Sequence, residues 1–302
     1  MKIRPLRLPK RKKPDHTKAA RWKKRRLKYI AVIPSIITMM NAACGFIAIV
    51  FASRSPELRF GIFLLRQYNV TPFVLAAYMI ILAMVADVLD GRIARLTRTT
   101  SSFGGQLDSL ADAISFGAAP AFIMFKLVEY HMGYMGFEDL AAATFIDRIV
   151  FFSAIFYTMC AIVRLARFNV ENEEDILAHM NFSGLPSPAA AGVVVSLIIF
   201  HQQFLLGLSD RTMIMIAVFA LPIITFLSGV LMVSRIRYAH LANQLLRSKK
   251  TLPSLLLIFT TAFFLVWNIQ ITLTIGFCGF ALSGVLRSVF SILKLRFSNK
   301  LP

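Results

Sequence analysis

The chain has 302 residues, 57% of them apolar, and a formal net charge of +19; its mean hydropathy is +0.67. An apolar share well above the roughly 45–50% of soluble domains excludes an ordinary soluble enzyme. The positive charge does not indicate a nucleic-acid partner. The basic residues lie in short polar segments between apolar runs, a placement that suits anionic membrane lipids.

Taken in chain order, residues 1–28 form a basic arm, with Lys or Arg at fourteen positions from Lys2 to Lys28. It is rich in Arg and poor in acid but lacks the Ser of a transit peptide, and the apolar run after it is too long for a signal segment. It reads as an uncleaved cytoplasmic arm whose charge either only fixes topology or also senses anionic lipid. Runs of about 17–25 apolar residues cross a bilayer. Eight segments qualify: Tyr29–Ala52, Thr71–Val88, Asp108–Leu127, Ile146–Val163, Ala189–Leu208, Met213–Val233, Pro253–Trp267 and Ile271–Leu293. The predicted fold is all-α, a polytopic membrane helical bundle. Residues 29–233 form a six-span core, and residues 234–302 hold a cytoplasmic loop, a C-terminal helical pair and a tail. The three cysteines, Cys44, Cys160 and Cys278, sit inside apolar runs without metal-ligand spacing and read as small packing residues.

Orientation follows from Lys and Arg placement. With the arm in the cytoplasm, Arg92, Arg95, Arg98, Arg164, Arg167, Arg235, Arg237 and the tail with Lys294, Arg296 and Lys300 also fall inside, which requires an even number of spans. Arg54, Arg59 and Arg66 are the exceptions, and the sequence offers no account of them beyond a short interfacial segment.

The chemistry concentrates between the second and third spans. Asp87 and Asp90 are three apart, Asp108 and Asp112 four apart, so on helices each pair shares a face. An Asp at membrane depth costs roughly 2.5–3.5 kcal/mol even on the lenient insertion scale. Four converging carboxylates need a compensating positive charge, and a divalent metal supplies it. Gly91 and Gly104 let backbone approach a ligand or another helix closely, and Gly104 clears space one turn before Asp108. Arg95 is suited to bidentate bonds with a diphosphate. Arg164 and Arg167 share a face at the end of the fourth span, where they either snorkel or hold an anionic group. Thr38 and Asn41 share a face of the first span. His16, His131, His179, His201 and His240 show no ligand spacing and are assigned no role.

Residues 87–112 carry D-x2-D-G-x2-A-R-x8-G-x3-D-x3-D, through Asp87, Asp90, Gly91, Ala94, Arg95, Gly104, Asp108 and Asp112. The stretch resembles the signature of the CDP-alcohol phosphatidyltransferase family. Further segments resemble its phosphatidylserine synthase branch: SLADAISFGAAPA from Ser109, RLARFN from Arg164, and GLPSPAAAG from Gly184 to Gly192. The first span carries PSIITMMNAACG, similar to the branch pattern but with Ser35 where Asn is usual.

The resemblance implies transfer of the phosphatidyl group of CDP-diacylglycerol to L-serine at a bacterial inner membrane, with the site facing the cytoplasm. It assigns Asp87, Asp90 and Asp108 to metal, and Asp112 to metal and to the proton of the incoming hydroxyl. Asn41, Gly91, Ala94, Arg95 and Gly104 would hold the nucleotide and diphosphate, and Arg164 and Arg167 the acceptor. Hard carboxylate oxygens suit Mg²⁺ or Mn²⁺. Relatives in this family are commonly homodimers, which the residues neither support nor oppose. Two alternatives stand beside this reading: the same family with glycerol 3-phosphate, an inositol compound or choline as acceptor, and a cation transporter.

Overall fold

The computed structural model describes residues 32–54, 70–97, 102–135, 140–174, 184–205, 211–236, 238, 264 and 268–298. The basic arm, Arg59, Arg66 and, apart from Phe264, the predicted span Pro253–Trp267 lie outside the described residues. Every regular element among the described residues is helical. They are α1 (Val32–Ala52), α2 (Pro72–Thr97), α3 (Ser102–Asp112), α4 (Ala119–Met135), α5 (Leu140–Glu174), α6 (Ser187–Phe200), α7 (Arg211–Val233) and α8 (Ile269–Ser298). A π-helical turn, Ala113–Ala118, joins α3 to α4 without a break, and a second, His201–Leu205, extends α6.

Seven helices among the described residues are long and apolar enough to cross a membrane, the third being the continuous Phe103–Met135 rod. Seven of the eight predicted spans are therefore present, several of them longer than predicted; α2 continues past Val88 to Thr97. The rod begins before Asp108 and runs past Leu127, and α5 continues past Val163 through RLARFN. Helix continues there because the extensions themselves, residues 102–107, 128–135 and 164–174, contain no Pro, and polar residues stay helical once the turn is nucleated. At 1.5 Å per residue the 33-residue rod measures about 50 Å, against about 30 Å of hydrocarbon. Its first turns, which hold Asp108 and Asp112, therefore extend toward an interface.

Local signals explain where helices start. Thr71 precedes Pro72, and its hydroxyl accepts the Val74 N–H at 3.4 Å, while Pro72 supplies a helix-compatible φ at a position needing no donor. Pro186 and Pro188 do the same for α6. Gly184 turns the chain into that helix at φ +94°, where its N–H reaches Ile236 O at 2.8 Å and Met232 O would collide with any side chain.

Small residues let the helices pack closely, as membrane bundles require. Cys44, Ala48 and Ala52 of α1 are buried with Ala76, Ala77, Ile80 and Ala83 of α2 in the common core. All three cysteines are free, two buried and one half-buried, in accord with a packing role. α8 seats against α6, with Phe277 over Gly192 and the Thr274 hydroxyl donating to Ser196 O at 3.2 Å.

The end of the bundle away from the aspartates holds a buried polar knot. Thr71 Oγ1 donates to Gln202 Oε1 at 3.0 Å, and Gln202 Nε2 lies 3.3 Å from His131 Nε2 and 3.4 Å from His201 Nδ1. Both imidazoles are buried, with ring centroids 5.0 Å apart. Gln202 thus ties α2, α4 and the end of α6 together. Gln202→Ala is expected to destabilise the bundle by about 1–3 kcal/mol, since it orphans buried partners, with turnover per folded molecule unchanged. Unfolding in mixed micelles measures the first and single-turnover rate the second.

Candidate active site

The other end of the bundle gathers the start of α1, the end of α2, the start of α3, the end of α5 and the start of α6. The alternation of the spans makes this happen: Thr38, early in α1, meets Asp90, late in α2. Carboxylate oxygens of Asp87, Asp108 and Asp112 lie within 4.8 Å of one another. The two helical spacings each place a pair on one face, and the two faces meet at this end of the bundle.

Asp90 is buried beside this group, its carboxylate accepting the Thr38 hydroxyl. It remains in electrostatic contact with Asp87 and Asp108. The three-carboxylate group is thus Asp87, Asp108 and Asp112, with Asp90 adjoining it. Asn41 is fully buried, and its Nδ2 donates to Asp112 Oδ1 at 2.9 Å, which leaves the second Asp112 oxygen for other partners. The Asn41 Oδ1 acceptor has no hydrogen-bond partner among the described residues.

Positive charge comes from α5. Arg164 is half-buried, donates from Nη1 to Ser187 Oγ at 2.8 Å, and is in electrostatic contact with Asp87 and Asp112. Arg167, one turn further on, is exposed. The predicted pair is therefore split: Arg164 faces the carboxylates and Arg167 lies at the rim. Ser109 Oγ donates to Asn169 Oδ1 at 2.9 Å, joining the aspartate-bearing turn to RLARFN.

The remaining predicted positions fall around the same end. Gly91 is exposed, and a Cβ built there meets no described atom within 4 Å. The space that a side chain would take there is open among the described residues. Gly104 is half-buried one turn before Asp108. Ala94 and Arg95 belong to the last turns of α2, with side chains outside the described residues.

Sequence reasoning did not single out Ser109, Asn169, Ser115, Ser187 (which it held only within the run Gly184–Pro188) or Tyr157. The first four lie within motifs already quoted, but spacing does not say which helix they will touch. Tyr157 sits within an apolar span and carried no signal.

The donor set fits a hard divalent cation. It consists of three carboxylates without Cys or His, with Asn41 fixing one oxygen of Asp112 and leaving others open. Three carboxylates within 4.8 Å of one another, when all are ionised, repel by roughly 3.5 kcal/mol per pair at an effective dielectric of about 20. Such repulsion is comparable to the whole stability of a domain, so a bound cation is the natural counter-charge.

Fold and site together define an integral membrane protein with an acidic, metal-competent centre at one end of its helical bundle. The family model described as CDP-alcohol phosphatidyltransferase matches residues 31–226. A CDP-diacylglycerol–serine O-phosphatidyltransferase of Helicobacter pylori (strain ATCC 700392 / 26695) is 32% identical over 271 residues, covering 89% of this chain and 95% of the relative. One of Methanocaldococcus jannaschii is 29% identical over 219 residues, 72% of this chain and 79% of the relative. One of Saccharomyces cerevisiae is 36% identical over 166 residues, 53% of this chain and 51% of the relative. The chain belongs to the CDP-alcohol phosphatidyltransferase family, and it is an enzyme of phospholipid synthesis.

Proposed function

We propose that the enzyme transfers the phosphatidyl group of CDP-diacylglycerol to L-serine, giving phosphatidylserine and CMP. The observation that carries this reading is the convergence of Asp87, Asp108 and Asp112 within 4.8 Å beside Arg164. Serine as acceptor is supported by the names of the Helicobacter and Methanocaldococcus relatives, which align over most of this chain. The matched residues 31–226 lie within the core, residues 29–233, that we assign to catalysis. Lys and Arg placement supports this end facing the cytoplasm, and the basic arm with the branch resemblance supports a bacterial inner membrane.

In this reading Asp87, Asp90, Asp108 and Asp112 hold divalent metal, Mg²⁺ or Mn²⁺. When bound, the metal neutralises the diphosphate and steadies the leaving phosphate. Gly91 and Gly104 leave space for the nucleotide, with Ala94, Arg95 and Asn41 lining it. Arg95 makes charge-assisted bonds to the diphosphate. The free oxygen of Asp112 takes the proton from the serine hydroxyl as that oxygen bonds to the lipid-side phosphorus and the bond to CMP breaks. Arg164 receives the serine carboxylate, and Ser187 holds the guanidinium in place.

Arg164→Ala is expected to raise the KM for serine about 10- to 100-fold, the scale of a lost hydrogen bond to a charged group. Arg167→Ala, at the exposed rim, should change it far less. Steady-state CMP release against serine concentration measures both. Wild-type serine affinity in the two variants would remove the acceptor role.

The function itself is tested with purified protein in detergent, CDP-diacylglycerol and Mn²⁺ or Mg²⁺, following CMP release on separate addition of serine, glycerol 3-phosphate, inositol and choline. Release with serine alone, absent in Asp108→Asn, supports both reaction and acceptor. Release with a different acceptor keeps the family and replaces the substrate.

A further inference from the structure

The turn immediately after Asp112 is not α-helical. Across Ala113–Ala118 the backbone widens, so that the Ala119 N–H reaches back five residues to Ile114 O. One inserted residue rotates the remainder of the rod by about 100° relative to an uninterrupted α-helix. The rod can then present Asp108 and Asp112 to the site while Ile123 and Leu127 stay in the core.

The turn is gripped from two sides. On the α1 side, Ser115 Oγ donates to the Asn41 carbonyl at 2.8 Å, four residues before Gly45, where a Cβ would lie 2.7 Å from Ser115 Cα. The same Asn41 holds Asp112 Oδ1 through its side chain. On the α5 side, the fully buried Tyr157 donates its hydroxyl to Phe116 O at 3.0 Å, and Gly117 fits against Ala161 one turn on. Behind Tyr157, a Cβ at Gly229 of α7 would lie 3.2 Å from its Cα, so this anchor is itself backed by packed backbone.

We propose that Ser115 and Tyr157 are positioning residues: they hold the π-helical turn, and so fix the direction in which Asp112 presents its second carboxylate oxygen. The inference rests on the assignment of Asp112 as the base. Ser115 acts through Asn41, since its bond sets the height of α1 against the turn and therefore where the Asn41 carboxamide meets Asp112. Tyr157 acts from the opposite face by engaging a carbonyl of the widened turn.

The test uses the full-length enzyme in detergent. Ser115→Ala, Tyr157→Phe and Gly45→Ala, which drives a methyl group into Ser115, are compared for kcat and for KM of CDP-diacylglycerol. Binding of Mn²⁺ alone is followed by electron paramagnetic resonance, and unfolding temperature is recorded. Each variant is expected to lose about 10- to 100-fold in kcat, the scale of a misplaced reacting group. The KM for CDP-diacylglycerol and Mn²⁺ binding should stay near wild type. The unfolding temperature should fall modestly in Ser115→Ala and Tyr157→Phe, which each lose one buried hydrogen bond, and further in Gly45→Ala, whose Cβ would lie 2.7 Å from Ser115 Cα. Wild-type kcat in Ser115→Ala and Tyr157→Phe overturns the proposal. So does a parallel fall of kcat, Mn²⁺ binding and unfolding temperature, because the turn would then be supporting the fold alone. Asp112→Asn, assayed beside them, separates the two failures. Full turnover in that variant removes the base assignment and the inference with it. A dead Asp112→Asn beside fully active Ser115 and Tyr157 variants removes only the inference.

Discussion

Asp112→Asn is expected to lower the rate of CMP release about a thousandfold, within the range of about 10²–10⁴ that a positioned base contributes. The substitution is nearly isosteric. The Asn41 amide at 2.9 Å still finds a carbonyl oxygen to donate to, so the contact between α1 and the start of the π-helical turn survives. What disappears is the second carboxylate oxygen as a proton acceptor, together with one negative charge of the metal group. Binding of CDP-diacylglycerol should therefore persist, because Asp87, Asp90 and Asp108 remain. A thousandfold loss is about 4 kcal/mol of transition-state stabilisation, well above the net worth of an ordinary hydrogen bond. Equilibrium binding of CDP-diacylglycerol and single-turnover CMP release, measured on the same preparation, distinguish a lost base from a lost site. A variant that keeps the wild-type rate would sink the assignment.

Asp108→Asn tests the metal site from the other direction. Asp108 belongs to the three-carboxylate group on which the donor set rests, so its loss should abolish detectable turnover. Mn²⁺ binding should weaken by about 100-fold or more, since even partners outside the ligand set cost about 10–100-fold. The sign of the stability change is the more informative readout. In the wild type, chelation leaves three carboxylates within 4.8 Å of one another, and their repulsion opposes the fold to the extent that they remain ionised. Chelator should therefore lower its unfolding temperature. Asp108→Asn removes two of the three repelling pairs and should be less sensitive to chelator, and more stable than chelated wild type. Equal chelator sensitivity in the two proteins would mean that these carboxylates do not hold the ion.

Much of this was legible in the chain because the governing physics is local. An apolar run of some twenty residues is a span whatever surrounds it, and a helix of fixed pitch puts residues three or four apart on one face. The aspartate pairs could thus be placed on faces before any tertiary information. The same locality explains the errors of extent. The apolar runs Asp108–Leu127 and Ile146–Val163 mark what sits in hydrocarbon, whereas the helices continue into polar sequence to Ser102, Met135 and Glu174. The His131–His201–Gln202 knot was invisible because His131 lies 71 residues from Gln202 and the two histidines obey no ligand spacing.

By itself, then, the sequence determined the membrane-spanning helical class, the carboxylate signature and its residue types, for these depend on composition and on short periodic intervals. Only the tertiary structure decided which groups meet. It set Asp90 against Thr38 and Asp112 against Asn41, turned Arg164 inward while leaving Arg167 at the rim, and placed a π-helical turn directly after Asp112. Those outcomes depend on the rotation and height of one helix against another. Close packing of Gly45 on Ser115 and Gly117 on Ala161 fixes them, and no interval along a single helix encodes them.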